Sequence, residues 1–269
     1  MPVTLDQIVA ATRRRVADSK PSADLRDLEG RAERHVPRGF REALAEKSRN
    51  DVAIIAELKK ASPSRGLIRA EFDPSALTRE LESAGAAALS VLTDEEFFQG
   101  SLENLQRASE CTRLPCLRKD FIVDEFQLLE AKAYSADAVL LIVAALSPAE
   151  LTTLSRRAID FQLDVLCEVH DEEELQRAID AGCDLIGVNS RDLRTFQVDL
   201  NTTLRVGALI PENILRVAES GIHNGADISR LRSAGYDAFL IGESLMKAQS
   251  PGQALRALIA ESRPALSRS

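Results

Sequence analysis

Hydrophobic positions along the chain follow two patterns that alternate from residue 52 onward. Short runs of apolar and β-branched residues are typical of strands buried in a parallel sheet. Between them lie longer stretches in which apolar residues recur every three or four positions, as on one face of a helix. The short runs predict eight strands: Val52–Leu58, Ala86–Leu92, Pro115–Lys119, Ala138–Val143, Asp164–Val169, Leu185–Asn189, Ile214–Glu219 and Ala238–Ile241.

The ends of the helical stretches are marked by polar residues and glycines. Asp73, Ser101 and Ser147 stand where N-caps are expected. Gly182 and Gly235 follow stretches that end before a strand. Helices are predicted at Ser75–Ala84, Leu102–Glu110, Ala149–Ile159, Asp171–Ala181, Asn224–Ala234 and from Pro251.

Eight strands that are each followed by a helix predict a closed (β/α)8 TIM barrel. The competing α/β architecture is the open, doubly wound sheet. That sheet usually has fewer strands and a GxGxxG turn after its first strand, and the chain has no such turn there.

The first fifty residues differ from the rest because they are charged and lack strand patterning. Thr4 and Gln7 have the spacing of a capping box. We predict two or three helices here that pack on the barrel, with Pro37–Glu46 across one end. The chain is thus predicted as one TIM-barrel domain, 1–269, in which 1–50 is an N-terminal helical extension and 51–269 holds eight βα units.

Charge and composition narrow the possible partners. The chain has 34 Lys and Arg against 42 Asp and Glu, a net charge of -8, which opposes binding to nucleic acid or anionic lipid. No apolar run reaches the roughly 20 residues of a membrane helix, and Met1–Lys20 is too polar for a secretory signal. We expect a cytoplasmic protein without nucleic-acid or membrane partners, and a monomer, because the exposed helices are polar.

The four cysteines show no CxxC spacing, and Cys116 and Cys167 fall in predicted strands. A chain of this length does not need disulfides or a structural metal to be stable. Four free, mostly buried thiols are therefore expected.

Polar residues that end apolar strands are the first candidates for chemistry, because TIM barrels build their active sites at the carboxyl ends of the strands. Side chains two positions apart share a face of a strand, so Glu57 and Lys59 point the same way. Any one such charge could belong to a surface ion pair. Five strands that carry one at the same end favour a functional cavity, since unpaired buried charge costs several kcal/mol. The predicted cavity contains Glu57, Lys59, Lys119, Glu168, Asn189 and Glu219.

A phosphate site is predicted where the seventh and eighth strands end. The segments Glu219–Ile222 and Ile241–Ser244 place backbone N–H groups near helix starts, the usual phosphate site of such barrels. Ser62, in the loop after the first strand, could add a hydroxyl. The predicted phosphate ligands are therefore Ser62, Ser220, Gly221, Gly242, Glu243 and Ser244.

Several runs carry a specific resemblance that extends from the N-terminal helices to the last strand. The most specific are Ala56–Ser64 (AELKKASPS) and Leu117–Ile122 (LRKDFI), and Gly187–Leu193 (GVNSRDL) also matches. They resemble the indole-3-glycerol phosphate synthases. The remaining matching runs are Ser90–Asp94, Phe97–Ser101, Glu168–His170, Ser220–Ile222 and Gly242–Met246.

The resemblance implies a small phosphorylated substrate, 1-(2-carboxyphenylamino)-1-deoxyribulose 5-phosphate. The implied products are indole-3-glycerol phosphate, carbon dioxide and water, and no cofactor or metal is implied. Lys119 is then the acid that protonates the C2′ carbonyl oxygen during ring closure. Glu168 and the Glu57/Lys59 pair share the later proton transfers, and Lys59 also holds the substrate carboxylate; the sequence leaves the dehydration acid open.

The remaining implied roles concern binding. Asn189 and Glu219 would hydrogen-bond sugar hydroxyls, and Arg191 would neutralise charge or fix its loop. His170 is expected to face away from Glu168 and to have a structural role. The benzene ring would lie in an apolar slot, although Leu140 fits ordinary core packing equally well; the slot residues are Phe98, Phe121, Leu140 and Leu193.

Two alternatives remain at this stage. Phosphoribosylanthranilate isomerase is another phosphate-binding barrel, but its chemistry needs one acid and one base and no pair of lysines at the barrel mouth. The presence of both Lys59 and Lys119 argues against it. A catalytically silent barrel that binds a phosphorylated metabolite would have no reason to keep these charges together.

Overall fold

Eight parallel strands form a closed barrel in the computed structural model, which describes residues 3–191 and 198–263. They are β1 (Ala53–Leu58), β2 (Ala88–Leu92), β3 (Cys116–Lys119), β4 (Ala138–Ile142), β5 (Asp164–Val169), β6 (Leu185–Asn189), β7 (Leu215–Glu219) and β8 (Ala238–Ile241). β1 pairs with both β2 and β8, so the sheet closes on itself. All eight predicted strands are confirmed, with boundaries within two residues of those predicted.

Helices precede the barrel and surround it, and each strand is followed by at least one of them. The six helices predicted individually are confirmed to within one residue at each end. In chain order the helices are α1 (Leu5–Ser19), α2 (Leu25–Arg34), α3 (Phe40–Asn50), α4 (Pro74–Ser83), α5 (Glu95–Phe98), α6 (Leu102–Ser109), α7 (Glu125–Ala133), α8 (Pro148–Asp160), α9 (Glu172–Asp180), α10 (Leu200–Gly207), α11 (Gly225–Ser233), α12 (Glu243–Lys247) and α13 (Pro251–Glu261).

Short elements complete the chain. Two 3₁₀ turns lie at Lys20–Ser22 and Val143–Ala145, and a small antiparallel hairpin joins Ala61–Ser62 to Gly66–Leu67 in the loop after β1. Among the described residues, no helix is both long and apolar enough to cross a bilayer. The cysteines are free thiols; Cys111 is half-buried and the other three are buried.

Most of the helices start where a side chain accepts from an unpaired backbone N–H group; α3 and α12 instead start after Gly39 and Gly242. Ser147 accepts from Glu150 N and receives the Glu150 side chain in return, which is a capping box. Thr4 and Gln7 form the capping box that their spacing predicts. These caps stabilise the first turns of α8 and α1.

The core has two layers because alternate residues of each strand face opposite sides of the sheet. On β1, Ile54 and Ala56 pack outward against the helices. Ala53 and Ile55 point into the barrel. Helix α3 closes the amino-terminal end of the barrel, where Phe40 is fully buried among these inward side chains. Phe40 and Leu44, both within Pro37–Glu46, pack against the inward-facing residues at this end.

Ion pairs fasten the N-terminal segment to both ends of the barrel. At the closed end, Arg38 binds the buried Asp137 carboxylate. Near the open end, Arg15 on α1 contacts Asp94 at 3.1 Å and Asp120 at 3.4 Å. These ion pairs hold the segment against the barrel.

Candidate active site

The charged side chains at the carboxyl ends of the strands continue the inward-facing columns of the barrel. On β7 the column passes from Val217 to Glu219. On β5 it passes from Leu166 to Glu168. On β3 it ends at Lys119. The same period of two that fills the lower barrel with apolar side chains thus delivers charge to its open end.

Lys119 lies at the centre of this charged layer. Its Nζ donates to Glu168 Oε2 at 2.9 Å and to Glu219 Oε2 at 2.7 Å. The side chains are 12%, 3% and 2% exposed, respectively. One ammonium therefore links two carboxylates with little help from solvent.

Burial and charge act in opposite directions on the pKa values of these groups. Burial opposes the charge of Lys119, but Glu168 and Glu219 outweigh it and raise the pKa of Lys119. Burial also disfavours the charged form of Glu168, but Lys119 and His170 outweigh it and lower the pKa of Glu168. Burial raises the pKa of Glu219 to about 7, with Glu168 adding to the rise and Lys119 opposing it. Near neutrality, Glu168 is the ionised carboxylate and Glu219 is the one that takes up a proton.

A second ion pair lies on β1. Lys59 Nζ is 2.6 Å from Glu57 Oε1, and both side chains line the cavity. The Glu57 carboxylate packs against Gly242, where a Cβ atom would come within 2.4 Å of Oε1. Gly242 is thus required for the close approach of β8 to this carboxylate.

The cavity at the barrel mouth has a volume of about 680 Å³ and joins charged and apolar walls. Phe98 and Phe121 form one apolar side, with ring centroids 6.1 Å apart and planes tilted by 38°. Leu140 lines the same cavity. A planar ring therefore has an apolar wall beside the Lys119 ammonium.

The turns after β7 and β8 form the opposite side of the cavity. Ser220 and Gly221 have positive φ angles of 62° and 70°, and Gly242 caps α12. Glu243 attracts three cations, with Lys247 Nζ at 2.6 Å, Arg65 Nε at 3.1 Å and Arg191 Nη2 at 4.0 Å from its carboxylate oxygens. This side combines backbone N–H groups with a cluster of cations, which suits an anionic group.

Comparison with known proteins gives the family of this chain. The chain matches the family model described as indole-3-glycerol phosphate synthase over residues 5–258. A Koribacter versatilis (strain Ellin345) protein of that name is 61% identical over 259 residues, which cover 96% of this chain and 100% of the relative. This chain belongs to the indole-3-glycerol phosphate synthase family. An Acinetobacter baumannii (strain ATCC 17978) indole-3-glycerol phosphate synthase is 47% identical over 260 residues, 96% of each chain.

Solved structures of lower identity share the barrel. A 3-hexulose-6-phosphate synthase aligns with a TM-score of 0.64 at 13% identity, over 79% of this chain and 100% of that chain. A thiamine phosphate pyrophosphorylase from Pyrococcus furiosus aligns with a TM-score of 0.60 at 19% identity, over 80% of this chain and 96% of that chain. These likenesses show the fold alone.

Family membership makes the chain an enzyme of tryptophan biosynthesis, a decarboxylating lyase. Neither the isomerase nor the silent barrel is favoured. Among the residues that the structure describes, no group of three or more His, Cys, Asp or Glu is arranged to hold a metal ion.

Most predicted site residues of this family member meet in the one cavity. Ser62 lines a smaller adjoining cavity of about 120 Å³, which shares Lys59 with the main one. Asn189 lines neither cavity; its Oδ1 accepts from Arg191 N at 3.1 Å. Leu193 lies outside the described residues. The residues that line the main cavity as predicted are Glu57, Lys59, Phe98, Lys119, Phe121, Leu140, Glu168, Arg191, Glu219, Ser220, Gly221, Gly242, Glu243 and Ser244.

The prediction that His170 faces away from Glu168 is wrong. Positions 168 and 170 are two apart and share the inner face of the chain. His170 Nε2 lies 3.4 Å from Glu168 Oε1. The period of two would have revealed this contact.

Lys247 and Asp120 also line the cavity, although neither was among the predicted site residues. Lys247 follows Glu243 by four residues, the spacing of a helical ion pair, and this signal was available. Asp120 accepts from Thr93 and Arg118, so it braces the strand end that carries Lys119. That contact joins two loops, and no local pattern predicts it.

Gly187 provides a test of how closely Glu219 must be placed in this synthase. A Cβ atom at Gly187 would lie 2.2 Å from Glu219 Oε1. Gly187→Ala is expected to push the carboxylate away from Lys119 and to lower kcat about tenfold, while folding is retained because the carboxylate end can move. The control Gly30→Ala adds the same methyl group in α2, where only the Arg34 side chain is near, at 3.7 Å. Equal kcat for both variants would contradict the prediction.

Proposed function

We propose that this cavity converts 1-(2-carboxyphenylamino)-1-deoxyribulose 5-phosphate to indole-3-glycerol phosphate, carbon dioxide and water by general acid and base catalysis without a cofactor. The observation that carries the proposal is the position of Lys119. Its ammonium lies between two carboxylates and shares the cavity with Phe98 and Phe121. Such a site can protonate a carbonyl oxygen beside an aromatic ring.

In ring closure, the ring carbon that bears the carboxylate attacks the C2′ carbonyl carbon. A carbon–carbon bond forms, and the carbonyl oxygen takes a proton from Lys119. Glu219 lies 2.7 Å from Lys119, and its pKa of about 7 means that it carries a proton in part of the molecules at neutral pH. Glu219 therefore returns a proton to the amine. The fixed geometry removes much of the entropic cost of bringing these groups together.

The carboxylate then leaves as carbon dioxide, and the electron pair of the broken bond restores the aromatic ring. The C2′ hydroxyl next leaves as water, with a proton from Lys59, which is held by Glu57. Glu168 takes a proton from C1′, next to the anilino nitrogen. Before decarboxylation, Lys59 binds the substrate carboxylate. The acid of dehydration, Lys59, thus belongs to the ion pair with Glu57, whereas the base, Glu168, belongs to the ion pair with Lys119.

The phosphate is proposed to bind on the side of the cavity opposite the phenylalanines. Arg191 would neutralise its charge, and the Ser62 hydroxyl would reach it from the loop after β1. The Asn189 amide would bind a sugar hydroxyl, and Leu193 stays a sequence prediction for the apolar slot. The remaining phosphate ligands are proposed to be the backbone or hydroxyl groups of Ser220, Gly221, Gly242, Glu243 and Ser244.

The cellular and assembly context is also a proposal. The net charge of -8 and the polar exposed helices support a single-domain, cytoplasmic monomer that does not bind nucleic acid. Size-exclusion chromatography with light scattering tests the monomer; a dimer mass at micromolar concentration would contradict it.

Substrate turnover tests the proposed function. The protein should convert the anilino-deoxyribulose phosphate to a fluorescent indole product that mass spectrometry identifies. Removal of the phosphate from the substrate should lower kcat/KM at least about a hundredfold, because charge-assisted hydrogen bonds are lost. A protein that binds the phosphorylated substrate but never turns it over would overturn the proposal.

A further inference from the structure

A buried chain of charges extends behind Glu168 and involves a residue that the proposed reaction does not use. His170 Nδ1 lies 2.9 Å from Glu174 Oε2, and the His170 backbone N donates to the same oxygen at 2.8 Å. On the other side of the ring, Nε2 lies 3.4 Å from Glu168 Oε1. The imidazole is 13% exposed and stands between two carboxylates.

The contacts of Glu168 are divided between its two oxygens. Oε2 accepts from Lys119, whereas Oε1 faces His170 Nε2, which is buried and makes no hydrogen bond to any residue in 3–191 or 198–263. The second carboxylate has a different environment. Glu219 Oε2 accepts from Lys119, and Glu219 Oε1 is buried without a hydrogen-bond partner among the described residues. Within that part of the chain, two cations therefore face Glu168, whereas Lys119 alone faces Glu219.

We propose that His170 is a positioning residue for the synthase reaction: as an imidazolium held by Glu174, it keeps Glu168 ionised and directs the exchangeable proton to Glu219. The inference rests on the proposed function for its catalytic consequence. The His170 imidazolium gives the two buried carboxylates different tasks, although both bind the same lysine. Glu168 stays a base, and Glu219 supplies the proton that replaces the one Lys119 gives to the substrate.

The groups around His170 support its charged state. Burial lowers the pKa of the imidazole, but its contacts with Glu168 and Glu174 outweigh burial and raise the pKa to about 10. Lys119 is the other charged group nearby, and it binds the far oxygen of Glu168. The turn at Val143–Ala145, which packs against both β5 and α9, brings no titratable side chain. The positive charge on the ring is thus balanced by carboxylates on both sides.

The charge of His170 can be measured without any substrate. The chain has three histidines, so the imidazole signals in an NMR titration can be assigned with a His170→Asn variant. The His170 ring is expected to stay protonated up to about pH 9, whereas an unperturbed histidine titrates near 6.5. A His170 ring that loses its proton near 6.5 would overturn the inference, whether or not the protein turns over its substrate.

The catalytic consequence is measured in the pH dependence of kcat/KM. His170→Asn removes the cation beside Glu168, so the pKa of Glu168 rises and the acidic limb moves to higher pH by about one unit. His170→Gln is a second variant in case the first does not fold. Glu174→Gln should move the limb in the same direction by a smaller amount, because it weakens the imidazolium.

Glu172→Gln is the matched control on the same helix. Glu172 is exposed and binds Arg205 on the surface, so its variant should leave the pH profile in place. If folded His170 variants had a lower kcat/KM at every pH but an acidic limb at the parent position, His170 would have only a structural role and the inference would be overturned. A parent protein without turnover would instead overturn the proposed function, and the NMR titration would still decide the charge of His170.

Discussion

Replacement of Lys119 by methionine is expected to lower kcat about a thousandfold, within the range that a positioned general acid contributes. Methionine keeps much of the length of the side chain but can neither donate a proton nor carry charge. The substrate should still bind, because the phosphate side of the cavity and the Phe98 and Phe121 wall are unchanged. Indole fluorescence measures turnover, and calorimetry measures binding.

The Lys119→Met variant also changes the charge balance of the cavity. Glu168 and Glu219 lose the ammonium between them, and the pair should take up a proton near neutral pH. Circular dichroism should therefore show a folded protein. Lys132→Met, on the outer helix α7, is the control and should keep the parent rate. A Lys119→Met rate within tenfold of the parent would exclude Lys119 as the acid.

Glu168→Gln is expected to lower kcat by about a hundredfold to a thousandfold. The amide has nearly the same shape, and its oxygen can still accept from Lys119, but it cannot take a proton from C1′. Ring closure and decarboxylation should thus proceed faster than dehydration. The first turnover should release labelled carbon dioxide before indole fluorescence appears.

The control for Glu168→Gln is Glu173→Gln, which removes an exposed carboxylate from α9 and should leave kcat unchanged. If Glu168→Gln kept the parent rate, the base would have to be another group. Glu57 and Glu219 would then be the next candidates, because both carboxylates line the cavity beside a lysine.

The barrel and most of its site could be predicted because both follow from local periodicity. A parallel sheet brings the carboxyl ends of its strands to one end, so residues such as Glu57, Glu168 and Glu219 had to meet once the strands were recognised. The strand boundaries needed only apolar runs and the caps between them. The orientation of His170 was predicted wrongly, although the same period of two places it on the face of Glu168.

Contacts that cross the barrel could not be predicted in this way. The sharing of Lys119 by Glu168 and Glu219 depends on the stagger of strands that are not neighbours in the sheet, and the sequence does not express that stagger. The contact of Arg15 with Asp120 joins residues 105 positions apart. Ser62 was placed in a smaller side cavity by the fold of its hairpin.

A single-turnover experiment with substrate labelled in the carboxyl group tests the central claim most directly. Rapid quenching measures carbon dioxide, and fluorescence measures indole, for the parent, Lys119→Met and Glu168→Gln. We predict that the parent releases both together, that Lys119→Met releases neither at a comparable rate, and that Glu168→Gln releases carbon dioxide ahead of indole. Rapid release of carbon dioxide by Lys119→Met would contradict the assignment of Lys119 as the acid of ring closure.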